Sequence, residues 1–381
     1  MNRNNSDAHK RSYLILEDSS RSSLGGGQII SIIWIEKLLS KGSNLTVNLY
    51  DTTWNSEMRK RVEKLAINYH ASKSKAKLLN VIFYYLKVLR KIGEKDLIIH
   101  TTTRYTAAYV GLLRLMGMHD SSTYWINHEH MVAPSSKVIK FIYSKLVMNS
   151  NVTIYSSHTC KKSYNLKTIP KKSFISNVSS ISQMPTSGKD DERIKRVTSL
   201  LRASNDKNTR LLLYCGRIRE DKGIFRLVEK LKTEKNASNN YYLLIILGSG
   251  NPTDLNILKS KIGDSSNIYY MGSAQMSKRI YAEFDIGITP SDRFRESLGL
   301  SGLEQAVYIG NALIASKTDC YDYLYKYDGF HKYDPWLNIY KQLENAIYGN
   351  RTSPKEIIDI INRDCMKMED IINYILVDSR K

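Results

Sequence analysis

The chain of 381 residues contains only 4 Cys and 7 Pro, and each shortage excludes a class of protein. Cys160, Cys215, Cys320 and Cys365 lie far apart without a C-x-x-C pair, which fits neither a zinc site nor a disulfide framework and reads as reduced thiols in a cytosol. Proline-poor composition with 42% hydrophobic and 25% charged residues excludes disordered and fibrous classes. No run approaches 18 consecutive apolar residues and the start, MNRNNSDAHKRS, has no apolar leader core, so any membrane contact is expected to be peripheral. The order G-x-G-x-x-G is absent, which argues against a dinucleotide redox cofactor. Asp-x-Asp is also absent, so no obvious metal clamp exists and neither metal nor cofactor is expected. Length sets the other bound: a chain of this size holds two to three domains' worth of core.

Negative charge is the scarcest resource of the first half. Residues 1–190 hold 28 Lys and Arg against 12 Asp and Glu, whereas residues 191–381 hold 29 against 25. A one-sided field of this size attracts an anion: nucleic acid, anionic lipid headgroups or a phosphorylated substrate. No RNP, helix-turn-helix or zinc motif accompanies it, so a nucleic-acid partner is not expected.

Short apolar and β-branched runs alternate with stretches of helical period, the pattern of βα units around a parallel sheet. The runs fall at 13–16, 45–51, 96–101, 123–129, 152–157 and 174–178, then again at 210–216, 241–248, 267–272, 285–291 and 312–316. Between the two series, VSSISQMPTSGKDD (178–191) has the Ser, Pro and Gly content of a connector. The expected division is a basic N-terminal Rossmann-like domain over 1–180, a linker over 181–192, a second Rossmann-like domain over 193–360 and a C-terminal helix over 361–381 that packs back on the first.

Candidate chemistry sits at strand ends, where such folds bind ligands. CGRIREDKG (215–223) places Gly216, Arg217 and Lys222 before a helix beginning near Ile224, a combination of turn, two cations and helix N-terminus that suits a phosphate. The alternative is a solvated turn in which Glu220 and Asp221 neutralise the cations. After DIGITPS, the run DRFRESLGLSGLEQ (292–305) sets Glu296 on a loop and Glu304 on the second turn of a helix starting near Leu300. One carboxylate can then reach one hydroxylated ring and the other a second, while loop N–H groups meet the phosphates between them. Gly25, Gly26 and Gly27 lie between the first strand and first helix, where a backbone can approach a phosphate closely. In the basic half, Val138, Ile139, Ile142 and Leu146 form a helical stripe flanked by Lys137, Lys140 and Lys145, and KSKAKLLNVIFYYLKVLRK (73–91) is a second basic amphipathic segment. Such helices can lie on anionic membrane; the alternative packs the stripe inward on the sheet and leaves the lysines in water.

Taken in order, GGGQ, YCGRIREDKGI, LLIILGSG and RESLGLSGLEQ resemble the motifs of the family-4 retaining glycosyltransferases of the GT-B fold, over nearly the whole chain. The resemblance implies an α/β architecture of two doubly wound domains facing each other across a cleft. It implies transfer of a sugar, with retention and without metal, from a nucleotide diphosphate to a glycan or lipid-linked acceptor in cell-envelope or exopolysaccharide synthesis. The enzyme would be cytoplasmic and peripheral on the inner membrane face. Carried over, Glu296 holds hydroxyls of the donor sugar and Glu304 those of the ribose. Arg217 and Lys222 neutralise the diphosphate, helped by the backbone of Gly25, Gly26, Gly216, Ser297, Leu298, Gly299 and Leu300. His128, in the pair His128-Glu129, stands where the family carries a catalytic histidine. Leu298 replaces the family's usual Phe, and KTDCYDYL (317–324) departs from the family after the last strand. A GT-B subunit that has lost catalysis and serves a partner enzyme is the alternative function.

Overall fold

Apolar strands whose two faces are both covered build two all-parallel sheets in this chain. The computed structural model describes residues 11–18, 26–41, 45–51, 56–65, 67–71, 96–118, 123–164, 172–176, 184–204, 208–291, 300–315, 325, 329–348, 353–363 and 365–379. Among them the chain forms two compact units: the described residues up to Ser176 together with those from Cys365 on, and those from Met184 to Arg363.

In the first unit β1 (Arg11–Glu17), α1 (Gly26–Leu39), β2 (Leu45–Asp51), α2 (Ser56–Val62) and β3 (Asn68–Ala71) are followed by β4 (Leu97–Thr101), α3 (Arg104–Leu115), β5 (Tyr124–Glu129), α4 (Lys137–Val147), β6 (Val152–Tyr155), α5 (His158–Tyr164) and β7 (Ser173–Ile175). The strands lie in the order β3-β2-β1-β4-β5-β6-β7, so the order reverses between β1 and β4. Alternation along each strand divides the core. Tyr13, Ile15, Ile98 and Ile126 face Trp34 and Leu38 of α1 on one side. Leu14, Leu16, Ile99 and Trp125 face Tyr143 and Val147 of α4 on the other.

The second unit contains α6 (Asp191–Ala203), β8 (Thr209–Cys215), α7 (Ile224–Thr233), β9 (Tyr241–Leu247), α8 (Pro252–Ile262), β10 (Ile268–Tyr270), α9 (Lys278–Ala282), β11 (Ile286–Thr289), α10 (Leu300–Ile309), β12 (Ala312–Ala315), β13 (Phe330–Tyr333), α11 (Ile339–Tyr348) and α12 (Pro354–Ile361). Its sheet runs β10-β9-β8-β11-β12-β13 and reverses between β8 and β11. α13 (Met368–Asp378) then returns to the first unit, where Met368, Ile371, Ile372 and Ile375 are buried in the α1 side of the core. Polar ties fix it there: Lys37 pairs with Glu369, Tyr124 Oη donates to Asp378 at 2.7 Å, and Arg11 donates to Ser379 Oγ at 2.9 Å.

The structure adds to and corrects several details of the sequence reading. β3 and β13 are edge strands with no apolar run to announce them. Of the connector expected over 181–192, the described residues belong to the second unit: Lys278 and Arg279 N–H donate to the Pro185 and Thr186 carbonyls, and α6 already begins at Asp191. The helical stripe of α4 does not pack inward. Val138, Ile139 and Ile142 are 66%, 57% and 53% exposed, Phe141 is 60% exposed, and Tyr143, Ser144 and Val147 are the buried face. The segment 73–91 lies outside the described residues.

Candidate active site

Each sheet carries polar side chains at the carboxyl ends of its central strands. In the second unit β8 ends at Cys215, and Gly216 N–H donates to Leu247 O at 3.0 Å while Ile218 N–H donates to Ser249 O at 2.8 Å. The loops after β8 and β9 are thus laced side by side. Gly248 is required there, because a Cβ on it would lie 1.8 Å from the Gly216 carbonyl oxygen. Arg217, half-buried, has its own carbonyl held by Tyr214 Oη at 2.6 Å. A short 3-10 turn, Glu220–Lys222, delivers Lys222, also half-buried, to the residue before Gly223, and α7 starts at Ile224. Asp221 pairs with Arg219 at 3.2 Å. Gly216, Arg217 and Lys222 therefore occupy the eight residues, 216–223, that join β8 to α7 at the point where the strand order reverses.

α10 approaches the same strand end. Ser301 Oγ donates to the Cys215 carbonyl, and Glu304, one turn on, accepts from Tyr281 Oη at 3.0 Å. Desolvation raises the Glu304 carboxyl to about 7, against the smaller lowering effect of the Tyr281 hydrogen bond. The same desolvation, with Glu304 beside it, pushes the Cys215 thiol up to about 12. Tyr281 is a member of this group that motif reading misses, because it comes from α9 and nothing local marks it. Glu296, Ser297, Leu298 and Gly299 lie outside the described residues, as does Lys317 to Tyr323; Leu300 is the first residue of α10.

In the first unit, Gly26 opens α1 and Gly25 lies outside the described residues. One face of α1 lays Gln28, Ser31 and Trp34 along β1. Glu17, 1% exposed at the end of β1, accepts from Ser31 Oγ at 2.7 Å, Thr102 Oγ1 at 2.6 Å and Gln28 Nε2 at 3.3 Å. Desolvation raises its carboxyl above the ordinary range, and Asp51, opposite it in register on β2, adds to the rise. Neither Glu17 nor Asp51 belongs to any motif read from the sequence.

His128 lies at the end of β5, 2% exposed, on the α1 side of the sheet. Its Nδ1 is 3.3 Å from His100 Nε2 on β4, and its ring is 4.1 Å from that of His130. Burial holds His100 down to about 3 and His130 to about 4, and lowers His128 likewise with His130 and His100 contributing. Glu129, the next residue, points to the opposite face. It accepts from Tyr164 Oη at 2.6 Å, from Asn127 Nδ2 at 2.8 Å and from Tyr143 Oη. The pair His128-Glu129 is therefore separated by the sheet, and Glu129 is a structural carboxylate.

Comparison with known proteins gives a consistent picture. Residues 199–327 match the family model described as glycosyl transferases group 1. No curated protein matches the sequence significantly. Among solved structures, Anabaena Alr3699/HepE in complex with UDP aligns over 97% of this chain and 99% of its own, with TM-score 0.68 and 14% identity. A glycosyltransferase from Rickettsia africae aligns over 97% and 98%, with TM-score 0.69 and 14% identity. The lipopolysaccharide outer core galactosyltransferase WaaB aligns over 97% and 100%, with TM-score 0.64 and 14% identity. The two parallel α/β sheets have the architecture of GT-B glycosyltransferases, as two Rossmann-like units.

Proposed function

We propose that the chain is a retaining, metal-independent glycosyltransferase of the family-4 type. It would move a sugar from a nucleotide diphosphate to a glycan or lipid-linked acceptor of the cell envelope or an exopolysaccharide. The observation that carries this reading is the loop 216–223, which sets Arg217 and Lys222 at the strand-order reversal inside the segment matched by the glycosyl transferase model. Nucleotide-sugar use is further supported by HepE, whose structures hold UDP and UDP-glucose. WaaB, which acts on lipopolysaccharide outer core, supports the acceptor class.

Breaking a glycosyl–phosphate bond builds charge on the β-phosphate. Arg217 and Lys222, fixed in the loop with the start of α7 behind them, stabilise that charge more in the transition state than in the ground state. Glu304 accepts ribose hydroxyls and Glu296 hydroxyls of the sugar. Ser297, Leu298, Gly299, Leu300, Gly216, Gly25 and Gly26 offer backbone N–H groups to the phosphates. Attack on the same face as the leaving group lets the departing phosphate take the acceptor's proton, so no dedicated base is needed. A peripheral contact with the inner face of the membrane through α4 is supported by the exposed apolar residues Val138, Ile139, Phe141 and Ile142 of that helix; among the described residues no helix is long and apolar enough to cross a membrane.

The test is a panel of nucleotide sugars screened by thermal unfolding, in which a donor at 100 times its dissociation constant adds about 2.7 kcal/mol. Transfer with the selected donor should persist in EDTA. Arg217→Ala with Lys222→Ala should lower it by two or more orders of magnitude, roughly the loss of two charge-assisted contacts. Loss of transfer in EDTA with recovery in Mg²⁺ would overturn the phosphate assignment.

A further inference from the structure

Trp34, Tyr13, His100 and His128 form a line of hydrogen bonds through the interior of the first unit. Trp34 Nε1 lies 3.0 Å from Tyr13 Oη, Tyr13 Oη 3.0 Å from His100 Nδ1, and His100 Nε2 3.3 Å from His128 Nδ1. The first two residues are fully buried and the histidines are 1% and 2% exposed. Trp34 and Tyr13 come from α1 and β1, and the histidines from the adjacent strands β4 and β5. Burial keeps both imidazoles uncharged at neutral pH.

The direction of every bond follows from the inventory of donors. An indole nitrogen can only donate, so the Tyr13 oxygen accepts from it. The phenolic hydrogen then needs an acceptor, and His100 Nδ1 is the one within reach. A neutral imidazole has a single N–H, so His100, accepting at Nδ1, carries its hydrogen on Nε2 and donates to His128 Nδ1. By the same rule His128 carries its hydrogen on Nε2. The opposite polarity would bury the phenolic hydrogen without an acceptor, at the full cost of its desolvation.

His128 Nε2 is the end of the line, and it is buried without a hydrogen-bond partner among the described residues. A buried donor of fixed direction at a strand's carboxyl end is explained by the group it awaits. We infer that Trp34, Tyr13 and His100 are positioning residues that lock His128 as a neutral Nε2–H donor toward an acceptor oxygen, hydroxyl or phosphate, of the donor substrate. The ligand in this statement rests on the glycosyltransferase reading; the tautomer does not. His128 so held is a hydrogen-bond donor to oxygen and not a source of protons at neutral pH.

The experiment uses the full chain labelled with ¹⁵N-histidine. Two-bond proton–nitrogen correlations, assigned through the His100→Asn and His128→Gln variants, report which nitrogen of each ring bears hydrogen. Both His100 and His128 should show N–H at Nε2, and N–H at Nδ1 of His128 would overturn the proposal. Tyr13→Phe should release the lock and give both rings mixed tautomers; an unchanged His128 spectrum would refute the relay. The wild-type spectrum decides the tautomer even if a variant fails to fold. A glutamine amide reaches the Nε2 position and an asparagine amide only the Nδ1 position. Donor turnover by His128→Gln should therefore exceed that of His128→Asn by about tenfold, the worth of one net hydrogen bond, and equal loss in both would overturn the donor role. Weaker binding of the nucleotide sugar but not of the free nucleoside diphosphate identifies a sugar hydroxyl as the acceptor, and weaker binding of both identifies a phosphate oxygen. A wild type that binds no nucleotide sugar would defeat the glycosyltransferase reading and the ligand named here, with the tautomer still decided by the spectra.

Discussion

Glu304 shows how one desolvated carboxyl couples ligand, proton and stability. Its carboxyl is raised to about 7 from the ordinary value of 4.5, so the folded chain holds this proton more tightly than the unfolded chain does. The associated stability is full below pH 4.5 and is lost as pH rises through 7. Glu304→Gln, which cannot ionise, should therefore be more stable than wild type at pH 8 by on the order of 1 to 3 kcal/mol, with the gap closing toward pH 4.5. Denaturant melts across that range check it, and a gap that does not change with pH refutes it. The functional counterpart has the opposite sense. Hydroxyls of a ribose bind the carboxylate better than the acid, so calorimetric donor affinity of the wild type should increase between pH 6 and pH 8, and that of Glu304→Gln should stay flat. The residue scale is also where sequence reading stops short. Arg217, Lys222 and Glu304 were legible because each sits in a contiguous motif after an apolar strand. Glu17, Tyr281 and the line from Trp34 to His128 were not, because their partners are joined only by strand order and by one face of α1.

At the scale of elements, α4 carries the sharpest consequence. Its buried face is made of Tyr143, Ser144 and Val147, and Gly111 lets α3 approach closely: a Cβ there would lie 2.3 Å from the Leu146 carbonyl oxygen. Leu112 and Leu115 of α3, the helix packed against α4, are 44% and 58% exposed. Lys137 and Lys145 are exposed as well, while Lys140 is tied to the Ser163 carbonyl. Lys137→Gln with Lys145→Gln should weaken binding to anionic vesicles by about 1 kcal/mol per charge, an effect that salt removes. Phe141→Ser with Ile142→Ser should weaken it by about 1 kcal/mol or more per side chain irrespective of salt. Co-sedimentation measures both, and wild-type affinity in either variant eliminates α4 as the contact. The periodicity of this helix was plain in the sequence, but period reveals that a stripe exists and not which face the neighbours cover. Two of the four edge strands, β3 and β13, escaped the sequence for a related reason, whereas β7 and β10 kept recognisable apolar runs. β3 (NYHA) and β13 (FHKY) are paired on one side only, so neither needs the apolar run by which the central strands are recognised.

For the molecule as a whole, the first unit is discontinuous in sequence. α13 contributes four fully or almost fully buried side chains to the core around Trp34, and Met366 bridges to Ser176 beside β7. At about 1.5 to 3 kcal/mol for each such side chain, removing residues 364–381 costs an amount comparable to a domain's entire stability of about 5 to 15 kcal/mol. The truncated chain should thus lose the cooperative melting of the first unit and keep that of the second. Calorimetry resolves this, and two intact transitions would show α13 to be dispensable. Chain order also sets a schedule for biosynthesis. At roughly 5 to 20 residues per second, a ribosome takes on the order of ten seconds or more to translate the second unit before α13 emerges. Through that interval the second unit, contiguous and complete, can fold, while the nascent first unit still displays the apolar groove that Met368, Ile371, Ile372 and Ile375 will fill, an opening for a chaperone that shuts when the chain comes back.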